Sequence, residues 1–336
     1  MSEFSKSPAL PGASAAPSLL QIAKPYISIA RPDHWFKNVF MLAGVMLAAF
    51  YAPDQLEGFR FGLLAAAVLA TCLVASSNYV INEVLDAPTD RGHPVKCHRP
   101  IPSGRVRLPI AYFEWGLLAV VGAAIGYFVN SPFLLMLIAL WVIGLLYNVP
   151  PVRLKDLPYL DVLTESVNNP LRLLLGWFVV TPNILPPVSL LVSYWMVGAF
   201  FMASKRFAEY RMINDPRVAG EYRKSFRFYD ADRLLVSMCF YAVASALMLG
   251  VFIIRYKLEL IVATPFFAGL FAYYLHVTLK TDSPVQNPER LYKERGLMAY
   301  LVICLGLFVG LMFVSIPRLY DLFNVMPSKV QALWSF

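Results

Sequence analysis

Asn82, Asp86 and Asp90 stand four residues apart, the interval that stacks side chains along one face of a helix. Two carboxylates and an amide oxygen stacked in this way repel one another unless a cation lies between them. Hard oxygen ligands of this kind suit Mg²⁺, and such an ion bridges to a diphosphate. Pro88 lies between the two aspartates and lacks an N–H, so a helix break at that point is the alternative to perfect stacking. Directly downstream, Arg91, Lys96, Arg99 and Arg105 occupy a proline-rich loop. These cations can hold phosphate oxygens through charge-assisted hydrogen bonds, with arginine offering a forked geometry. The plainer reading is a solvated helix end followed by the basic bias of a membrane protein's inner loops.

A second constellation runs from Tyr147 and Asn148 through Arg153 and Lys155 to Asp161 and Glu165, followed by Asn168, Asn169 and Arg172. Asp161 and Glu165 are again i and i+4, so two acidic helix faces at one mouth could grip a metal diphosphate from both sides, with Lys155 as countercharge. Arg172 falls about two turns deeper, where an unpaired charge costs several kcal/mol, and is expected to face the bundle interior. An ion pair with Glu165 is its structural alternative. A third stretch, Lys205, Arg206 and Glu209, leads into a loop carrying Arg217, Arg223, Lys224 and Arg227. Its basic excess suits a lipid phosphate or a sugar phosphate, or simply an anionic headgroup. His93, Cys97 and His98 lack a fourth ligand at a spacing that would make a zinc site. There is no Walker loop, GxSxG or GxGxxG segment, so ATP hydrolysis, α/β-hydrolase chemistry and dinucleotide binding find no support.

The elements that must position these groups are transmembrane helices. The 336 residues are 58% hydrophobic and only 15% charged, more apolar surface than a soluble fold of this length can bury. Apolar runs long enough to cross a ~30 Å hydrocarbon layer are expected near residues 37–53, 59–82, 108–129, 131–149, 160–181, 186–204, 232–254, 258–276 and 296–316, an all-α polytopic fold of about nine spans. Lys and Arg crowd the loops near 83–107, 150–159, 205–231 and 277–295, whereas those near 54–58, 130 and 182–185 have none. The pattern predicts a cytoplasmic N-terminus, a non-cytoplasmic C-terminus and polar loops gathered on the cytoplasmic side of the inner membrane, with Arg255 and Lys257 the exception. The net charge of +8 therefore reads as topology and anionic ligands, with no nucleic acid as partner. Residues 1–24 are expected to be a disordered tail, 25–316 the membrane domain and 317–336 a tail on the far side. A short amphipathic segment over 19–29, containing Pro25, is expected at the interface. Cys72, Cys97, Cys239 and Cys304 form no CxxC pair and do not fix the redox compartment.

These motifs resemble those of the UbiA intramembrane prenyltransferase superfamily. Asn82-Glu83 with Asp86 and Asp90 resembles its first aspartate-rich motif, and Tyr147 through Lys155 to Asp161 and Glu165 its second. Glu83 stands where aspartate is common, and Asp161 with Glu165 is a relative of the usual second motif. Arg31-Pro32, Trp35, Lys37-Asn38, Arg99-Pro100-Ile101, Ser103-Gly104, Lys205-Arg206 with Glu209, and Pro288-Glu289 through Arg295 narrow the likeness to the decaprenyl-phosphate phosphoribosyltransferases. The resemblance implies helices around a central cavity open to the cytoplasm and laterally to lipid. It implies an Mg²⁺-dependent attack of a decaprenyl or related polyprenyl phosphate on C1 of 5-phosphoribosyl diphosphate. On this reading Asn82, Glu83, Asp86, Asp90, Asp161 and Glu165 serve metal and diphosphate, and Lys155, Arg91, Lys96 and Arg99 the phosphate oxygens. Lys37, Lys205 and Arg206 serve the lipid phosphate or the 5-phosphate, and Arg172 lines the substrate site. Transfer of a prenyl group to an aromatic acceptor and a non-catalytic lipid-phosphate carrier are the competing readings. Self-association into a homo-oligomer is left open.

Overall fold

The structure, a computed structural model, describes residues 18–56, 61–92, 95–286 and 288–325, and among these it holds helices and turns with no strand. Helix α1, Leu19–Ile29, starts on a reciprocal cap in which Ser18 and Gln21 each bond the other's backbone. It begins before the expected domain boundary at residue 25. A 3-10 segment, Pro32–Phe40, runs directly into α2, Met41–Tyr51. Then follow α3 (Phe61–Asp90), α4 (Leu108–Val129), α5 (Ser131–Asn148), α6 (Leu160–Ser166), α7 (Asn168–Val180), α8 (Val188–Ile213) and α9 (Pro216–Tyr222). The chain continues through α10 (Ala231–Tyr256), α11 (Thr264–Thr278), α12 (Arg295–Phe313) and α13 (Pro317–Leu322).

Among the described residues seven segments are long and apolar enough to cross a membrane: α3, α4, α5, α8, α10, the run Leu258–Thr278 that ends in α11, and α12. The protein is multi-pass. The two remaining expected spans are each built from two shorter pieces. The first is the 3-10 segment continuing into α2, and the fifth is α6 and α7 joined at Val167. Their polar residues explain the interruptions, because Lys37, Asn38, Glu165, Asn168 and Arg172 all fall within them. The alternative of a helix break at Pro88 does not occur, and α3 continues to Asp90. The proline lies in the last turn, where a missing N–H costs a single backbone bond.

The two interrupted segments pack on each other. The α2–α7 pair is one of the most extensive in the fold, with α8–α10 and α3–α4, and it closes over Gly44 and Gly176. A Cβ at Gly176 would meet the Met41 carbonyl, and one at Gly44 the Leu173 carbonyl. Small residues allow such backbone contact between membrane helices. Gly176→Val is expected to destabilise the fold by about 1–3 kcal/mol, the usual cost of overpacking a tight contact. Thermal unfolding in detergent would read this as a lowered midpoint. A midpoint equal to wild type would show that the two helices separate freely.

Candidate active site

A cavity of about 680 Å³ is lined by α3, α5, α6, α7, α8, the 3-10 segment before α2 and the polar loops that follow α3, α5 and α8. Asp86 and Asp90 face it from one side of α3, together with Asn82. Asp86 Oδ1 accepts from Lys155 Nζ at 2.6 Å and from Arg153 Nη2 at 2.9 Å. Lys155 Nζ also reaches Asn148 Oδ1 at 3.0 Å, and Asn82 Nδ2 donates to that same oxygen. Asp90 Oδ2 accepts from Arg99 Nη1 at 2.7 Å, with Lys96 Nζ 3.9 Å from Oδ1. The acidic row on α3 is thus matched by cations from two separate loops. Burial lowers the pKa of both Lys155 and Lys96, and the nearby aspartates work against that shift.

Beside this row Arg206 is a buried junction. Its Nη2 lies 2.7 Å from Glu165 Oε2, its Nε 3.3 Å from Asp161 Oδ2 and its Nη1 3.2 Å from Glu209 Oε2. Tyr147 donates to Glu165 Oε2 at 3.0 Å and accepts from Arg223 Nη2 at 3.1 Å. Arg172 lies deeper, donating from Nε to Asn38 Oδ1 at 3.0 Å and from Nη1 to the Asn168 carbonyl at 3.5 Å. The expected alternative of an Arg172–Glu165 ion pair is not formed, since Glu165 pairs with Arg206.

The structure brings Asn82, Asp86, Asp90, Lys155, Lys96, Arg99, Glu165, Lys37, Arg172, Lys205 and Arg206 to one cavity. Three of the expected residues are placed elsewhere. Glu83, one residue on from Asn82, is turned by a helical step of about 100° away from the cavity-facing row of α3. There it is 1% exposed and accepts from the Ile101 N–H at 3.1 Å, with Arg31 3.8 Å away. Its work is to fasten the 95–107 loop to α3. Asp161 is fully buried, and its oxygens are taken by Tyr229 at 2.7 Å, Ser225 at 3.2 Å and Arg206. It anchors the 223–229 loop. Arg91 is exposed and does not line the cavity. His93 and the side chains of 287–290 lie outside the described residues.

Sequence reasoning left Asn148, Arg153 and Glu209, which line the cavity, without a role of their own, and likewise the buried Asn38 behind Arg172. Arg153 and Arg31 carry the left-handed φ values 32° and 49°, a backbone state that costs a non-glycine residue energy and gathers at functional sites. Nothing in the residue types signals it. Asn148 and Arg153 did stand inside the second constellation, and their spacing from Lys155 was the available signal.

Among the described residues no group of three or more His, Cys, Asp or Glu side chains could hold a metal unaided. The set Asn82, Asp86 and Asp90 nevertheless fits Mg²⁺ held together with a substrate, because that ion is commonly bound by one or two carboxylates and completed by phosphate oxygens and water.

The family profile described as the UbiA prenyltransferase family matches residues 38–298, and the chain belongs to that family. A decaprenyl-phosphate phosphoribosyltransferase from Mycolicibacterium smegmatis is 29% identical over 209 residues, 62% of this chain and 63% of that relative. One from Mycobacterium tuberculosis is 29% identical over 227 residues, 67% of this chain and 72% of the relative. The match thus spans under two thirds of the first relative's length. In structure, a UbiA homolog from Archaeoglobus fulgidus bound to GPP and Mg²⁺ superposes with a TM-score of 0.65 over 86% of this chain and 100% of the other, at 18% identity. That likeness fixes the fold.

Proposed function

We propose that the protein is a transferase that moves 5-phosphoribose from 5-phosphoribosyl diphosphate to decaprenyl or a related polyprenyl phosphate, with Mg²⁺ as cofactor, on the cytoplasmic face of the bacterial inner membrane. The observation that carries this reading is the charge pattern of the cavity. Two carboxylates on α3 are each held by cations from different loops, and Lys37, Lys205 and Arg172 lie on the same lining. A prenyl diphosphate and an uncharged aromatic acceptor present one phosphorylated end. A phosphorylated sugar diphosphate and a lipid phosphate present three, and they match so many cations better. The similarity to enzymes named for this reaction supports the same substrates.

The lipid phosphate is ionised near neutral pH, so no general base is needed. Its oxygen forms a bond to C1 as the C1–O bond to diphosphate breaks, and diphosphate leaves with the electron pair. Bound with the donor, Mg²⁺ would neutralise charge on the leaving diphosphate. Asp86, Asp90 and Asn82 would hold that ion, with Glu165 on the facing wall. Lys155, Arg153, Lys96 and Arg99 would then exchange carboxylate oxygens for phosphate oxygens, stabilising the departing charge where it develops. The lipid product is a precursor of decaprenylphosphoryl arabinose, a donor for glycan or nodulation-signal arabinosylation.

The test is transfer of radiolabel from 5-phosphoribosyl diphosphate into an organic-extractable product by purified protein with decaprenyl phosphate and Mg²⁺. Label in the lipid phase that disappears with EDTA is the expected result. Folded protein that transfers no label would overturn the reading in favour of a prenyl diphosphate donor.

A further inference from the structure

Among the described residues three cations are buried below a tenth of their surface: Lys155, Arg206 and Arg172. Lys155 is neutralised by Asp86, and Arg206 by Asp161, Glu165 and Glu209. Arg172 has no carboxylate within ion-pair distance among the described residues, and its partners are the neutral Asn38 amide and the Asn168 carbonyl. A buried cation with no counterion is strongly unfavourable unless an anion arrives. The guanidinium lines the cavity, so the anion can reach it.

Its depth says which anion. The cavity runs down α3 from Asp86 to Ala75, eleven residues or about 16 Å along a helix. Arg172 belongs to the lower part, since Asn38, its partner, also donates to Cys72 Sγ at 3.1 Å. Arg172 follows the start of α7, and a helical side chain leans toward its helix N-terminus, here the end bearing Asn168 and the acidic mouth. Around the lower part Ala75, Leu140 and Gly144 line the cavity with Asn78 and Tyr79 beside them, and the small and apolar members of that wall suit hydrocarbon. A water-soluble donor enters from the polar mouth, and a polyprenyl chain from the membrane.

We propose that Arg172, oriented by Asn38, is the seat of the acceptor's phosphate monoester, placing the lipid headgroup beneath a donor whose diphosphate is held at Asp86 and Asp90. The assignment rests on the phosphoribosyl-transfer reading for the identity of the donor, and on the Arg172 geometry for the site itself. The same chemistry, a phosphate monoester, is offered by the donor's 5-phosphate, so the experiment has an arm for each. Arg172 also separates acceptor classes, because an uncharged aromatic acceptor would leave this guanidinium buried without a counterion.

Full-length protein in phosphatidylcholine nanodiscs would be titrated with decaprenyl phosphate in the absence of donor, and with decaprenol as the uncharged control. Arg172→Met removes the charge. Asn38→Asp leaves the arginine in place but sets a carboxylate where the amide oxygen now lies, so the guanidinium is satisfied from within and the fold is retained. Both variants are expected to bind decaprenyl phosphate at least about tenfold more weakly and to lose the preference over decaprenol, as expected on cutting a buried charge pair. Arg172→Lys should recover part of the affinity. Half-saturation by 5-phosphoribosyl diphosphate should stay within about threefold of wild type in all three, since their charges lie away from the donor's diphosphate. Unchanged acceptor binding in the folded Asn38→Asp protein overturns the proposal. So does a rise confined to the donor constant, which would seat the 5-phosphate at Arg172. Arg172-dependent binding without phosphoribosyl transfer would leave this site standing and remove the reaction assigned above. Transfer by wild type with acceptor binding indifferent to Arg172 would do the reverse.

Discussion

Asp86→Asn is expected to lower turnover by roughly a hundred- to a thousand-fold or more, with the protein still folded. The substitution preserves shape and removes the one charge that ties the 150–159 loop to α3. Lys155 and Arg153 both bond Asp86 Oδ1, so the ground state without ligand loses an ion-pair cluster, and any metal-bound diphosphate loses a hard anionic ligand. Asp90→Asn should act in the same direction, because Arg99 and Lys96 depend on it as Lys155 and Arg153 depend on Asp86. The measurement is initial rate against Mg²⁺ concentration, with size-exclusion and thermal unfolding to establish folding. Activity at wild-type level in both variants would remove the metal assignment. Activity restored by higher Mg²⁺ would show that the aspartate acts through ion affinity.

Arg206→Met is expected to be the most damaging change to the fold itself. Arg206 is 3% exposed and is bonded to Asp161, Glu165 and Glu209. Removing it leaves three acidic groups facing one another with only the more distant Lys205, 3.9 Å from Glu209, and Arg223, 4.0 Å from Asp161, as countercharge, and breaking a buried ion pair from one side costs about 3–5 kcal/mol. Arg206→Lys is expected to recover little, because a single ammonium cannot present three directed donors in the fork that the guanidinium supplies. Thermal unfolding in detergent should show a large drop in midpoint for both variants. A midpoint near wild type with weakened lipid-phosphate binding would return Arg206 to the ligand-contacting role that its sequence context suggested.

The expected spans at 108–129 and 131–149 reappear as Leu108–Val129 and Ser131–Asn148, because two long apolar stretches flanked by basic loops and joined at the uncharged Asn130 leave little choice of boundary. The first and fifth spans were legible as apolar stretches but not as broken ones. Their continuity depends on where the polar side chains find partners, and Asn38 finds Arg172 from 134 residues away. The same limit applies to the site. Asn82, Asp86 and Asp90 could be read from helical spacing alone. Asp161 shares that spacing with Glu165, yet it is covered by Ser225 and Tyr229, 64 and 68 residues downstream, and periodicity carries no information about such a cover. Glu83 shows a different error, since adjacency in a motif does not mean a shared helix face.

The pairing of α2 with α7 also bears on how the chain is assembled as it leaves the ribosome. Spans such as α4 and α5 carry enough unbroken apolar length to enter the bilayer on their own account. The segment containing Lys37 and Asn38 emerges early, with a charged, amide-bearing start and a glycine face shaped for a helix not yet synthesised. It reaches its final seat only when α7, more than 100 residues downstream, follows. A chain ending after α5 would leave that glycine face and the 3-10 turn without the helix they pack against.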